Sequence, residues 1–318
     1  MSRRRRRREA HALAGRLIGV AAVLLLVLTL AGEAASWHWA LALFEHFAVQ
    51  GALVALVLLV PWWVVRPRRP LVLGVLLACL VLHGARVAPL FGAHPPVPDG
   101  PRLRVLAFNS WVHNPATTTL WEYVTAVDAD VTVFSETSPE LLADADALEA
   151  SHDIAQVGEF LVLLRRGLEA QVVRPPAVHH GVVVSVVHDG RPLTLVGVHA
   201  WPAFDEAEMG RTFTDLERVC AGSAAPVVVV GDLNATPWSH RVRGFLARTG
   251  LRDSSVGHGV QASFPFWPPV VGIPFRLPID HGLHAPELAC ARRELGPALG
   301  SNHRPLVLEL VWRDRPGP

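Results

Sequence analysis

The sequence predicts a mixed α+β domain set behind about three membrane-spanning helices. Apolar residues crowd into three long runs before residue 92, with Arg on their flanks. Beyond residue 102, short apolar runs of strand length alternate with helical stretches. Between 160 and 198 several strand-like runs follow one another with no helix between them. That succession calls for some antiparallel pairing and argues against a doubly wound parallel sheet.

The apolar segment comes first. Six consecutive Arg, residues 3–8, precede a run from Leu17 to Ala31. A second run spans Phe47 to Val65 and a third Leu71 to Ala85. A bilayer core needs roughly 20 apolar residues per helix, with ~17 tolerated. The predicted spans are therefore about 17–37, 47–65 and 71–90, the last requiring Arg86 to snorkel. Arg residues 3–8 and the Arg66-Pro67-Arg68-Arg69 loop place both of their ends in the cytoplasm by the positive-inside rule. The loop between them, Glu33 to His46, carries two Glu and no Arg. Three spans from a cytoplasmic N-terminus put the rest of the chain outside, so the expected location is the cell membrane, multi-pass, with an extracytoplasmic domain. A signal peptide ending near Gly32-Glu33-Ala34 is the competing reading, and the two further runs speak against it. The expected division is 1–92 as membrane anchor, 93–101 as a Pro- and Gly-rich linker, and 102–318 as one globular domain.

Charge follows the same division. Residues 1–98 carry 11 Arg against 3 Glu, a net of +8, while residues 99–318 carry 18 Arg against 25 acidic residues, a net of −7. The chain contains no Lys. An acidic domain repels polyanions at long range, which weighs against tight binding to long nucleic acids unless a divalent cation or a local Arg cluster reverses the field. Three Cys are too few for a disulfide scaffold, and no Cys–His spacing matches a zinc site. Cys220 and Cys290 can pair if the domain is exported; two buried thiols fit equally well.

Within the domain, strands are predicted at Leu103–Phe108, Val131–Phe134, Phe160–Leu164, Val182–Val187, Leu193–Val198, Val227–Val230 and Leu306–Leu310. Helices are predicted at Thr118–Val127, Pro139–Leu148, Asp205–Val219 and Ser239–Arg248, with Pro139 suited to a first turn. Polar residues gather where these strands stop. Asn109 ends the first and Glu136 follows Val131–Ser135. His199 ends the run 195–198. Asp232 and Asn234 terminate Val227–Val230, two residues apart and so on one face of an extended chain. Asp280 and His281 follow Leu277-Pro278-Ile279, and His303 precedes the last strand. Each has a bland explanation alone, as a turn residue or a satisfied structural histidine. Their joint order does not.

Taken together, Leu106-Ala107-Phe108-Asn109, Ser135-Glu136, Gly197-Val198-His199, Gly231-Asp232-Leu233-Asn234, Ile279-Asp280-His281 and Ser301-Asn302-His303-Arg304-Pro305 resemble the endonuclease/exonuclease/phosphatase superfamily over roughly residues 102–310. The resemblance implies a deoxyribonuclease I-like, four-layer α/β/β/α sandwich with its site at one end. It also implies a metal-dependent phosphodiesterase or nuclease. In that scheme Asn109 and Glu136 hold Mg²⁺, or Mn²⁺. Asp232 orients or deprotonates the attacking water. Asn234 holds the phosphate or that water. His303, oriented by Asp280, stabilises the transition state, and His199 assists the leaving oxygen. His281 and Asn302 fall beside the substrate. The family's usual Asp before the last His is here Asn302, which carries no charge and raises the His pKa less.

The expected partners are the lipid bilayer and a phosphodiester, either nucleic acid or phospholipid; nothing points to an obligate protein partner. The aromatic, Pro-rich segment Phe264–Phe275 offers either a membrane-dipping loop or a packed cover over the sandwich edge. Trp111, Trp201 and Trp238 offer base-stacking surfaces or core packing. A catalytically weakened module that binds a phosphoryl ligand is the non-enzymatic alternative, and Asn302 is its support.

Overall fold

The computed structural model describes residues 3–65, 70–173, 177–202, 204–265 and 275–313. The chain divides into two compact units, Met1–Pro89 with Trp238–His240, and Leu90–Pro237 with Arg241–Pro318.

The first unit is helical: α1 (Arg3–Glu33), a 3₁₀ turn (Ala35–Trp37), α2 (Trp39–Glu45), α3 (Ala48–Val65) and α4 (Pro70–Val87), which continues as a 3₁₀ turn to Phe91. Three helices, Arg3–Glu33, Ala48–Val65 and Pro70–Phe91, are long and apolar enough to cross a membrane. They pack through small and aliphatic residues, including Ala22, Ala55 and Cys79. A Cβ on Gly51 would fall 2.4 Å from the His83 ring, so glycine is what lets α3 and α4 approach there. Apolar side chains on the other faces, Leu17, Val57 and Val81 among them, are exposed. Helices apolar on every side are the pattern of lipid-facing segments. Helix α1 starts well before residue 17, because the Arg run is itself helical. The third helix does reach past Arg86, whose guanidinium pairs with Glu33 at 2.7 Å. The Arg66–Arg69 loop lies outside the described residues.

The second unit holds two six-stranded sheets. The first has the order β11-β12-β1-β2-β4-β3, built from β1 (Leu103–Asn109), β2 (Val131–Ser135), β3 (His152–Val157), β4 (Phe160–Arg165), β11 (Leu288–Leu295) and β12 (Leu306–Trp312). The second has the order β5-β6-β7-β8-β10-β9, built from β5 (Glu169–Val173), β6 (Gly181–His188), β7 (Arg191–His199), β8 (Val227–Asp232), β9 (Arg252–Asp253) and β10 (Asp280–His284). One pair in each sheet is parallel, β1 with β2 and β7 with β8, and the other pairs are antiparallel.

Period-2 alternation explains the unbroken apolar strands. Val228 and Val230 of β8 point into the core between the sheets, beside Val105, Val133 and Leu308. Val227 and Val229 point outward beneath α7 (Glu206–Gly222) and α8 (His240–Thr249), against Phe213 and Phe245. On the other sheet Leu106 and Phe134 pack against Leu120 of α5 (Thr117–Val127) and Leu141 of α6 (Pro139–Asp144). The result is the α/β/β/α sandwich that the resemblance implied. Local caps agree with the chemistry. Ser138 accepts from Leu141 N–H with Pro139 in the first turn of α6, and Asp205 accepts from Glu208 N–H at the start of α7.

Several elements depart from the sequence reading. The expected helix over 139–148 stops at Asp144 and finishes as a 3₁₀ turn. Strands β3, β5, β9, β10 and β11 lie outside the apolar runs that the sequence predicts as strands. Strand β5 is a half-exposed edge, and β11 carries Arg292, Arg293 and Glu294, so neither reads as an apolar run. Asp280 and His281 open β10 rather than follow a strand. All three cysteines are free thiols.

One buried charge ties down the first sheet. Glu309 on β12 is 3% exposed and takes Arg102 at 2.6 Å, Arg104 at 3.0 Å and Arg292 at 3.5 Å. Burial alone would raise the Glu309 pKa, but the hydrogen bonds from Arg102 and Arg104 outweigh it and hold the pKa below 4.5. A depressed folded-state pKa stabilises the fold above the unfolded-state value, and that contribution disappears as the pH falls through the folded-state one. Glu309→Gln is expected to cost about 1–3 kcal/mol at neutral pH. Thermal unfolding across pH checks it: the two proteins should converge on acidification below 4.5, the ordinary glutamate value.

Candidate active site

Register brings the polar strand ends to one edge of the sandwich. In the first sheet Asn109 lies opposite Ser135, so Glu136 emerges one residue beyond. In the second, Asp232 lies between His199 on one side and Asp280 on the other. The loop before β12 adds His303, whose backbone N–H donates to Ser301 Oγ at 2.9 Å. Ser301 Oγ in turn donates to the Asn109 carbonyl at 2.8 Å, linking that loop to β1.

The side chains meet at hydrogen-bond distance. Asn109 Nδ2 donates to Glu136 Oε1 at 2.8 Å and to Asp232 Oδ2 at 3.2 Å. His303 Nδ1 lies 2.9 Å from Asp280 Oδ2, and its Nε2 lies 3.6 Å from Asp232 Oδ2. The carboxylates of Asp232 and Asp280 and the ring of His303 are all buried, with ligating atoms within 4.8 Å of one another. His199 is clasped on both sides, by Glu159 Oε2 at 2.9 Å on Nδ1 and by Glu136 Oε1 at 3.3 Å on Nε2. Asn234 directs its backbone N–H at Asp232 Oδ1, 2.7 Å away, and its amide nitrogen at the Ala200 carbonyl, 2.8 Å away.

These contacts set the charges. Burial would raise the Glu136 pKa, yet hydrogen bonds from His199 and Asn109 win and bring it to about 2. Burial would lower that of His199, but Glu136 and Glu159 raise it to about 10. Burial pushes Asp232 up to about 6 against the pull of His303, and Asp280 adds repulsion. Burial would raise Asp280, but the His303 charge together with hydrogen bonds from His303 and Ser263 holds it low. His303 is raised, since Asp280 and Asp232 overcome the desolvation that opposes it. The arrangement is a buried carboxylate of raised pKa set between two histidines whose pKa values are also raised.

Backbone geometry supports the same edge. Glu136 and Asn234 sit at φ values of 51° and 48°, in the left-handed region that non-glycine residues uncommonly occupy. Such outliers persist where the surroundings over-determine them.

Not every expected residue joins the cluster. His281 alternates to the opposite face of β10 from Asp280; its Nε2 meets the Ala235 carbonyl at 2.7 Å, and burial lowers its pKa. It is buried and supports the chain after β8. Asn302 Oδ1 is 3.5 Å from Ser301 Oγ, a weak contact beside the cluster. Trp238 is buried and offers no stacking face, whereas Trp201 is 41% exposed. Phe264 lies against His303, with ring centroids 4.7 Å apart, so this end of the aromatic segment covers the site. Residues 266–274, Trp267 included, lie outside the described residues. Glu159 joins the cluster without standing at a strand end in the sequence. It sits at the tip of the β3–β4 hairpin, next to Gly158, where a glutamate ordinarily reads as a solvated turn residue.

The model of the Endonuclease/Exonuclease/phosphatase family matches residues 106–303. The chain belongs to this family. Solved structures agree on the fold. D. rerio TDP2 complexed with single-strand DNA product is similar in fold, at 14% identity and a TM-score of 0.55, covering 67% of this chain and 100% of that one. The human Nocturnin catalytic domain with bound sulfate anion is 14% identical, with a TM-score of 0.52 and coverages of 67% and 94%. An endonuclease/exonuclease/phosphatase from Bacteroides vulgatus gives 14% identity, a TM-score of 0.54 and coverages of 67% and 100%. A search of curated proteins finds no match.

Gly231 makes the β8 end possible. Its φ is +126°, and a Cβ there would fall 2.2 Å from the Val198 carbonyl oxygen, a backbone atom that cannot rotate aside. Gly231→Ala is expected to cost about 3 kcal/mol or more. Thermal unfolding reads this directly, and an unchanged midpoint would mean that β7 and β8 can shift without penalty.

Proposed function

We propose that this protein is a membrane-anchored, divalent-metal-dependent phosphodiesterase that hydrolyses its substrate by in-line attack of water. The observation that carries the reading is the convergence of Asn109, Glu136, Asp232 and the Asp280–His303 pair at one sheet edge, with His199 alongside.

The donor set fits a hard cation. Glu136 offers carboxylate oxygen, and the Asn109 amide already faces the carboxylates of both Glu136 and Asp232. Two carboxylates converging on one polar group are the electrostatic environment that Mg²⁺ or Mn²⁺ satisfies with oxygen ligands. Glu136, with Asn109 beside it, would hold the ion. When bound, the ion polarises a phosphoryl oxygen and neutralises charge that develops there.

The remaining steps belong to the protein. Asp232, with its pKa near 6, accepts the proton of the attacking water as the new P–O bond forms. Asn234 fixes the Asp232 carboxylate through its backbone N–H. The His303 imidazolium, backed by Asp280, donates to the phosphoryl oxygens as their charge grows. His199, charged between Glu136 and Glu159, gives a proton to the leaving oxygen as the old P–O bond breaks. No covalent enzyme intermediate is required. The anchor occupies residues 1–92, with its N-terminus cytoplasmic and the domain after residue 102 extracytoplasmic; the Arg distribution supports this orientation.

The substrate is a phosphodiester of nucleic acid or of phospholipid. Exposed Trp201 favours a base-bearing substrate, while the three apolar helices favour one presented by a bilayer. Full-length protein in nanodiscs separates these with a generic phosphodiester dye, DNA, RNA and phospholipid vesicles, each with Mg²⁺, Mn²⁺ or EDTA. Hydrolysis should require the metal, and Asp232→Ala and His303→Ala should each lower kcat by about 10²–10⁴. No turnover of any substrate by folded protein would favour the binding-module alternative, which rests on Asn302. Activity that survives both substitutions would remove the mechanism. In sealed right-side-out vesicles, added protease should cut the domain and spare the Arg-rich N-terminus.

A further inference from the structure

A second cluster lies beyond the strand-end site. His179 and His180 form the turn before β6, and Glu208 stands in the first turn of α7. Their ligating atoms lie within 4.8 Å of one another. His179 Nε2 is 2.5 Å from Glu208 Oε2, while Arg211 holds the other oxygen, Oε1, at 2.6 Å. Adjacent residues of an extended strand point to opposite faces. Here His180 adopts a φ of 52°, and the two imidazole centroids are only 4.3 Å apart.

The hydrogen bonds fix the tautomer of His180. The indole N–H of Trp201 can only donate, and it donates to His180 Nε2. That nitrogen therefore carries the lone pair, and the proton sits on Nδ1, which faces Glu159 Oε1 at 3.1 Å. A carboxylate on the far nitrogen is the outer-shell arrangement that orients metal-binding histidines. Metal binding at Nε2 would displace the indole of Trp201, which is exposed. On the other side Asp215 Oδ2 accepts the backbone N–H of His179 at 3.0 Å, bracing the turn against α7.

We propose that His179, His180 and Glu208 form a binding site for a divalent transition cation of the zinc class. Two imidazoles and one carboxylate suit zinc, with bonds of ~2.0–2.1 Å and a fourth position open to water. They suit Mg²⁺ poorly, because that ion prefers oxygen ligands. The side chains are partly exposed, and an ion bound there would replace the direct His179–Glu208 contact. Occupancy staples the turn before β6 to α7. None of the three ligands belongs to the strand-end cluster, and the two sites meet only through Glu159, which bonds His180 with one oxygen and His199 with the other.

Full-length protein in nanodiscs, saturated with Mg²⁺, is titrated with Zn²⁺ against a chromophoric chelator. Wild type should take up one tight Zn²⁺ and gain thermal stability. His179→Ala and Glu208→Gln should each weaken that ion by more than the roughly 10–100-fold typical of outer-shell substitutions. Trp201→Phe, which removes the competing indole, should bind at least as tightly. Asp232→Asn should keep the ion. The proposal is overturned if His179→Ala and Glu208→Gln bind as wild type does, or if the ion is lost in Asp232→Asn instead. Two surface substitutions guard against misfolding of either, checked by unfolding without Zn²⁺.

Discussion

The burial of Asp232 is the constraint on which the rest of the site depends. A carboxylate at the end of a core strand is stable only if its neighbours supply donors and positive charge. The two pairings of β8 supply them from both sides. The parallel partner β7 brings His199 level with Asp232, and the antiparallel partner β10 brings Asp280 level with it. Asp280 then recruits His303. Asn109 reaches Asp232 from the other sheet, so the carboxylate also ties the two sheets together at their ends. Slipping either pairing by one residue would turn the polar set into the core, which is why register and chemistry are specified together.

Much of this was legible in the sequence because the strands are apolar on both faces. Valines at 227–230 allow no solvent-facing side, so the first polar residue after them marks a sheet edge. Asn109, His199 and Asp232 follow that rule, and Glu136 comes one residue after Ser135. Where a strand carries its polar residues inside, the rule fails. Strand β10 is buried throughout yet reads Asp-His-Gly-Leu-His, and β11 carries charges that answer the buried Glu309 network. The same alternation would have turned His281 away from Asp280, had the pair been read as the start of a strand. Glu159 could not be found by any such signal. Its role comes from a hairpin whose tip reaches His199, a contact 40 residues apart in sequence.

Charge balance connects the fold to the proposed chemistry. The strand-end site gathers four carboxylates, Glu136, Glu159, Asp232 and Asp280, around two histidines, His199 and His303, whose pKa values are raised. With all six ionised the set carries a charge of −2, inside a domain that is itself net negative. An anionic phosphodiester approaching that edge meets repulsion, and low local dielectric amplifies it. A divalent cation contributes +2, which brings the set to neutrality before the substrate adds its own charge. The excess of carboxylate is thus difficult to explain as a structural device, because a purely structural cluster gains nothing from two unbalanced charges. It is accounted for if the site is built to hold a cation and, through it, a phosphate.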